Sequence, residues 1–321
     1  MADSLLSVRG LRTIFHTQLG EYAAVDGVDF DLHESEILGI VGESGSGKSV
    51  MALSLMRLVP PPGVITAGEI CFQGRDMRAL TEADMRRIRG RSIAMIFQDP
   101  MSALNPYLRV GEQIAEVARL HLGFSRRQAN IRAVEMLERV GIPEAIRCAE
   151  YYPHQLSGGM RQRVMIAAAL TCKPRLLIAD EPTTALDVTI QHQILALLHA
   201  LVREERASMI LITHDFGVIA GTGDKMLVMY GGRVMESGSV ARILAAPRHP
   251  YTRALLRSIP DPAHKGKRLF KLPDAAPQSM LNRRGCPFAM RCPEAVSQCR
   301  DVTPPGRTTQ TGHIADCWIE S

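Results

Sequence analysis

Apolar residues in this chain gather into short continuous runs that end in polar residues. "EILGIV" spans 36–41, "RLLIADE" 175–181 and "SMILITHD" 208–215. Runs of this length, bounded by turn residues, predict strands buried on both faces. Upstream of the first run, "AVDGVDFDLH" alternates apolar and polar, the pattern of a half-buried strand. The spacing then becomes helical. "SVMALSLMRLV" follows the first run, and "VTIQHQILALLHALVREE" sets Ile190, Ile194, Leu197, Leu198 and Leu201 on one face. Strands alternating with helices predict a largely parallel α/β sheet with its chemistry at the strands' C-terminal ends. The stretch from about 100 to 160 reads as mostly helical, a helical subdomain. Near residue 247 the chain turns rich in Pro and basic residues, with one helical pattern, "YTRALLRSI". A boundary is expected there, with a main domain over 1–246 and a small irregular appendage over 247–321.

The turn after the first run carries the most specific chemistry. "GESGSGKS" (42–49) fits G-x-x-x-x-G-K-[ST] between a predicted strand and a predicted helix, the context in which that motif binds phosphate. Gly42, Gly45 and Gly47 let backbone N–H groups converge on an anion, with Ser44 and Ser46 between them and Val50 just beyond. Lys48 would set its ammonium against the β- and γ-phosphates, and Ser49 would give its hydroxyl to Mg²⁺. At the end of the second run, Asp180 suits Mg²⁺, and Glu181 suits orienting or deprotonating the attacking water. Two adjacent carboxylates at a strand end would otherwise read as a solvated loop.

"LSGGMRQR" (156–163) resembles the signature motif of ATP-binding cassette (ABC) ATPases. Gln98 in "MIFQDP" matches that family's Q-loop, "ALD" (185–187) its D-loop, and His214 in "LITHD" its switch histidine. The resemblance covers roughly residues 5–240 and implies a P-loop cassette: a mixed, mostly parallel core sheet, an antiparallel β subdomain and a helical subdomain. It further implies that two cassettes pair head to tail, each ATP lying between one phosphate loop and the partner's signature. Ser157, Gly158 and Gly159 would then form a second anion-binding helix start, with Asp187 nearby in the D-loop. Gln98 would reach the Mg²⁺ region, and His214 the γ-phosphate. Adenine would stack on Phe15, with Tyr22 as the alternative. The sequence departs from the family pattern at Met160, where glutamine is commonest, and at Ser35, where a glycine often precedes Glu36; neither position supplies a catalytic group.

Composition narrows the partners. Net charge is only +5, and aromatic residues make up 5%, too few for a stacking platform for single-stranded nucleic acid. No apolar run reaches bilayer length and the N-terminus lacks a signal-peptide core, so a cytoplasmic protein is expected. "IAMIFQDPMSALNPYLRVGEQIAE", "ADEPTTALDVTIQHQIL" and "RHPYTRALLRSIP" are similar to the peptide/nickel importer family, and within it to the first of two paired ATPase subunits. That resemblance implies an ATP-hydrolysing subunit, peripheral on the cytoplasmic face of the inner membrane, that energises uptake of dipeptides or oligopeptides. Its implied partners are a second, non-identical cassette, two transmembrane permease subunits and an extracytoplasmic peptide-binding protein. Permease contact would fall on Met101, Leu104, Tyr107 and Leu108, unless these pack inside the helical subdomain. The alternatives are an importer of nickel, glutathione or another small solute, and, from a different class, a soluble ABC ATPase acting on nucleic acid or ribosomes. Absence of a coiled-coil insertion opposes the last, and nucleic acid is not an expected partner.

Cys71, Cys148 and Cys172 are scattered and read as reduced core residues, whereas Cys286, Cys292, Cys299 and Cys317 cluster in the tail. In a reducing compartment such a cluster points to metal before disulfide. Four thiolates suit zinc or an iron–sulfur cluster, and C-x5-C-x6-C-x17-C lacks the tight pairs of zinc ribbons. Spacing alone leaves both open; the family resemblance points to [4Fe–4S] over Zn²⁺. A structural role is expected, because the appendage has no evident core of its own.

Overall fold

The computed structural model describes residues 4–18, 20–184, 186–259, 272, 284–308 and 312–319. They fall into two compact units. The stretch after "YTRALLRSI", from 260 to 283, lies outside the described residues except Leu272, as does Ala185 of the "ALD" motif.

One unit comprises His33–Ile37 and Ala79–Ile212. Strands Ile93–Ile96, Leu176–Asp180 and Ser208–Thr213 run parallel and in register, Ile96 opposite Ala179 and Asp180 opposite Ile212. Every residue of the latter two strands is buried, as their unbroken apolar runs require. Four helices occupy the stretch expected to be helical: Pro100–Ala103, Val110–Leu122, Arg126–Arg139 and Ala145–Cys148. The Arg126–Arg139 helix starts at a capping box, Ser125 accepting from the Gln128 N–H while the Gln128 side chain accepts from the Ser125 N–H. In the Val188–Glu204 helix the buried stripe is Ile194, Leu195, Leu198, Leu201 and Val202. It is turned from the expected face, leaving Ile190 and Leu197 half-buried.

The other unit is formed by Ser4–Leu32, Leu38–Arg78 and the described residues of Thr213–Ser321. Strands Leu6–Thr17, Gly20–Leu32, Gly63–Phe72 and Arg75–Asp76 make an antiparallel sheet. Separately, Ile37–Val41 pairs parallel with Lys225–Tyr230, which pairs antiparallel with Arg233–Ser239. The tail extends this arrangement: Ile314–Asp316 pairs with Arg233–Ser239, and Gly306–Thr308 with Ile314–Asp316. These two short strands lie in the part of the chain expected to be an irregular appendage. It also joins a core: Phe288 and Tyr251 are fully buried, their rings 5.2 Å apart, and Tyr230 lies 4.8 Å from Tyr251 and 5.4 Å from Phe288. No helix among the described residues is long and apolar enough to cross a membrane.

Candidate nucleotide site

The phosphate loop leaves the buried Ile37–Val41 strand and enters the Lys48–Leu55 helix. Gly47 caps that helix at φ 102°, where a Cβ would lie 2.2 Å from the Ala24 carbonyl, so only glycine fits. No side-chain hydrogen bond caps this helix at Gly47 and no acidic residue sits in its first turn, so no carboxylate there offsets its positive end. Lys48 is buried, its Nζ donating to the Gly42 carbonyl at 2.8 Å and the Glu43 carbonyl at 3.0 Å. Ser44 and Gly45 are exposed, and Ser49 and Val50 half-buried. The Ser46 hydroxyl is buried with no hydrogen-bond partner among the described residues. A buried, unpaired hydroxyl is costly unless a ligand pairs with it. A glycine-capped helix start, a folded-back ammonium and a buried unpaired hydroxyl together fit a polyphosphate. Phe15 and Tyr22, the two aromatic candidates for adenine, are direct cross-strand partners, so both belong to one surface of the antiparallel sheet. His214 follows the Ser208–Thr213 strand and is exposed; beside it Asp215 caps the next helix by accepting from the Gly217 N–H.

In the other unit, Asp180 is buried at the end of its strand and Glu181 follows in the left-handed region at φ 44°. A non-glycine residue there is strained. Two hydrogen bonds hold it: Glu181 N–H donates to the Ile212 carbonyl and Thr184 N–H to the Glu181 carbonyl. The Glu181 carboxylate is also fixed. Its Oε2 accepts from Gln98 Nε2 at 3.0 Å and from Thr184 Oγ1 at 2.9 Å. The sequence singled out Gln98 and Glu181 separately, and the structure joins them. Thr184 was missed; its only signal was a hydroxyl three residues after the acid. Ser157 caps the Gly158–Leu170 helix by accepting from Met160 N–H, a backbone contact indifferent to the unusual side chain there. Asp187 caps Val188–Glu204 by accepting from Ile190 N–H. A Cβ on Gly159 would lie 2.9 Å from Ile190, so these two helix starts meet closely. Of the expected permease-contact residues, Met101, Tyr107 and Leu108 are exposed, whereas Leu104 is buried and serves packing instead.

The four tail cysteines are free thiols, Cys299 and Cys317 buried and the other two half-buried. They lie within electrostatic reach of one another, and Cys286 N–H donates to the Cys299 carbonyl at 2.8 Å. Burial pushes the Cys286 thiol up to about 11 and raises Cys292 and Cys317, so without a metal these three are neutral near pH 7. The donor set is one a cluster would take. As arranged, however, among the described residues no three His, Cys, Asp or Glu side chains converge as a metal-binding group. The expected ligand shell is not assembled.

Comparison with known proteins gives two family matches. Residues 25–184 match the family model described as ABC transporter, and residues 235–299 match that of the oligopeptide/dipeptide transporter C-terminal region. A probable peptide ABC transporter ATP-binding protein of Sinorhizobium fredii is 50% identical over 320 residues, 99% of this chain and 95% of the relative. The oligopeptide transport ATP-binding protein OppD of Escherichia coli is 49% identical over 317 residues, 99% of this chain and 94% of the relative. Among solved structures, the dimeric post-hydrolysis state of the ATP-binding cassette MJ0796 bound to ADP and Pi superposes with a TM-score of 0.66 at 29% identity, covering 73% of this chain and 98% of that one.

Proposed function

The chain belongs to the ABC transporter family of ATP-binding proteins, and we propose from this that it is the ATP-hydrolysing subunit of a multi-subunit importer of dipeptides or oligopeptides. The observation that carries the reading is the whole-length likeness, cassette and C-terminal region together, to peptide-transport ATP-binding proteins. We divide the chain into a cassette over 1–246, with a helical subdomain over about 100–160, and a transporter-type extension over 247–321.

In this reading Gly42, Ser44, Gly45, Ser46, Gly47, Lys48, Ser49 and Val50 cradle the phosphates, and Phe15 takes the adenine. Ser49, Asp180 and Gln98 would hold Mg²⁺, which would supply charge neutralisation at the phosphates. Glu181 orients the attacking water and accepts its proton, and His214 steadies the γ-phosphate. Ser157, Gly158, Gly159 and Asp187 face the ATP of a second, non-identical cassette. Binding of two ATP closes that pair, and loss of phosphate opens it. The remaining partners are two permease subunits, which place the chain at the cytoplasmic face of the inner membrane, and an extracytoplasmic peptide-binding protein. The four cysteines are the proposed seat of a [4Fe–4S] cluster, with Zn²⁺ as the alternative; the four-thiol donor set supports this, and no catalytic step runs through it.

Uptake of a labelled dipeptide and a labelled tripeptide by cells lacking this chain tests the function. Uptake returns with the wild-type chain and not with Glu181→Gln; undiminished peptide uptake without the chain, with loss of nickel or glutathione uptake instead, overturns it. Metal and acid-labile sulfide analysis of anaerobically purified chain tests the cysteine assignment. About four iron and four sulfide per chain are expected, and stoichiometric zinc without sulfide overturns the cluster.

A further inference from the structure

Glu43, the second residue of the phosphate loop, has each of its polar groups held. Its carbonyl accepts from Lys48 Nζ at 3.0 Å and from Ser46 N–H at 3.1 Å. Its N–H donates to Tyr251 Oη at 3.0 Å. Its carboxylate is taken in two-pronged fashion by Arg291, Nη1 to Oε2 at 2.6 Å and Nη2 to Oε1 at 3.0 Å. Arg291 belongs to the turn between Cys286 and Cys292, far along the chain. Only 8% of its side chain is exposed, against 34% for Glu43. Its Nη1 also donates to Tyr230 Oη at 3.1 Å, and its guanidinium lies 5.5 Å from the Tyr230 ring centre and 6.0 Å from that of Phe288. The fork geometry and the aromatic walls fit arginine and not lysine.

A carboxylate on a loop that binds polyphosphate through backbone N–H groups opposes its own ligand by like-charge repulsion. Pairing removes that charge and pins the loop backbone in one step. We propose that Arg291 is a positioning residue of the ATP site: by neutralising and fixing Glu43 it lets the cysteine-bearing tail set the affinity of the phosphate loop for ATP. The proposal rests on the ATP-site reading above but concerns affinity, whereas hydrolysis by Glu181 is untouched by it.

The test is equilibrium titration of the full chain with Mg²⁺-ATP, followed by steady-state hydrolysis. Arg291→Met raises the Kd for ATP about tenfold, while kcat at saturating ATP stays within about twofold of wild type. The double variant Glu43→Gln/Arg291→Met regains affinity to within about threefold, because no charge is left uncompensated. Arg291→Lys, which keeps the charge without the fork, falls between. Wild-type affinity in Arg291→Met overturns the inference, and so does a double variant as weak as the single, which would make Arg291 a packing residue only. Should Arg291→Met fail to fold, Glu43→Gln alone decides: affinity equal to or tighter than wild type supports the inference, and weakening beyond about threefold overturns it. Wild-type chain that binds no ATP would instead sink the ATP-site reading.

Discussion

The carboxylate of Glu181 offers the sharpest separation of chemistry from structure. Its Oε2 accepts two hydrogen bonds, from Gln98 Nε2 and Thr184 Oγ1. In Glu181→Gln the amide oxygen can accept both, so the strained turn and its neighbours survive, and only the capacity to take a proton is lost. The cost is therefore that of a general base, a fall in kcat of about 10²–10⁴-fold, or roughly 3–5 kcal/mol at about 1.4 kcal/mol per decade. Affinity for ATP should stay within about twofold. Thr184→Val does the reverse: it keeps the base and removes one of its two anchors. A hydrogen bond to a charged group is worth about 1.5–3 kcal/mol when buried. Both residues here are half-buried, so water replaces part of it and about a tenfold loss is expected. Single-turnover hydrolysis at saturating ATP, beside equilibrium ATP binding, measures both. Hydrolysis by Glu181→Gln within tenfold of wild type would refute the assigned role. Equal losses in the two variants would refute the division between base and anchor.

Further expectations concern binding and stability. Lys48→Ala removes a buried ammonium that folds back on two loop carbonyls, and ATP affinity should drop by about 10–100-fold in a binding titration; unchanged affinity would count against the phosphate loop. Phe288→Ala empties the centre of the Tyr230–Tyr251–Phe288 cluster and should cost about 3–5 kcal/mol in denaturant unfolding; a cost below about 1 kcal/mol would show that the tail contributes little packing. Burial presses His249 down to about 3, so the folded chain refuses a proton that the unfolded chain accepts below about pH 6.5. The sign follows: stability from this group is intact above that pH and lost as pH falls toward 3, by about 2 kcal/mol near pH 5. His249 Nδ1 accepts from Tyr251 N–H as a helix cap, and His249→Asn keeps that cap without titrating. Unfolding curves near pH 7 and pH 5 should show a flatter dependence in the variant by about that amount, and identical slopes would exclude His249 as the source.

What the sequence disclosed and what it withheld divide along a physical line. The phosphate loop, the Asp180–Glu181 pair and the buried strands were legible because their chemistry is written in consecutive residues or in a fixed period. The face of the Val188–Glu204 helix was not. Apolar residues at 190, 194, 195, 197, 198, 201 and 202 allow more than one stripe, and neighbouring elements choose Leu195 and Val202 over Ile190 and Leu197. Leu104 escaped for the same reason, since exposure of a lone leucine is decided by what covers it. In the tail, the four cysteines stood out, while Phe288 and Arg291 among them carried no periodic signal. Their partners, Tyr230, Tyr251 and Glu43, lie in distant segments; Arg291 and Glu43 stand 248 positions apart. Nor did "GESGSGKS" itself point to the partner of its glutamate. A loop that grips polyphosphate with N–H groups has no means within itself of masking an acidic side chain, and Lys48, its only cation, is turned to the Gly42 and Glu43 carbonyls. In the proposal above the counter-charge to Glu43 comes from Arg291, in the segment that the cassette motifs leave unexplained.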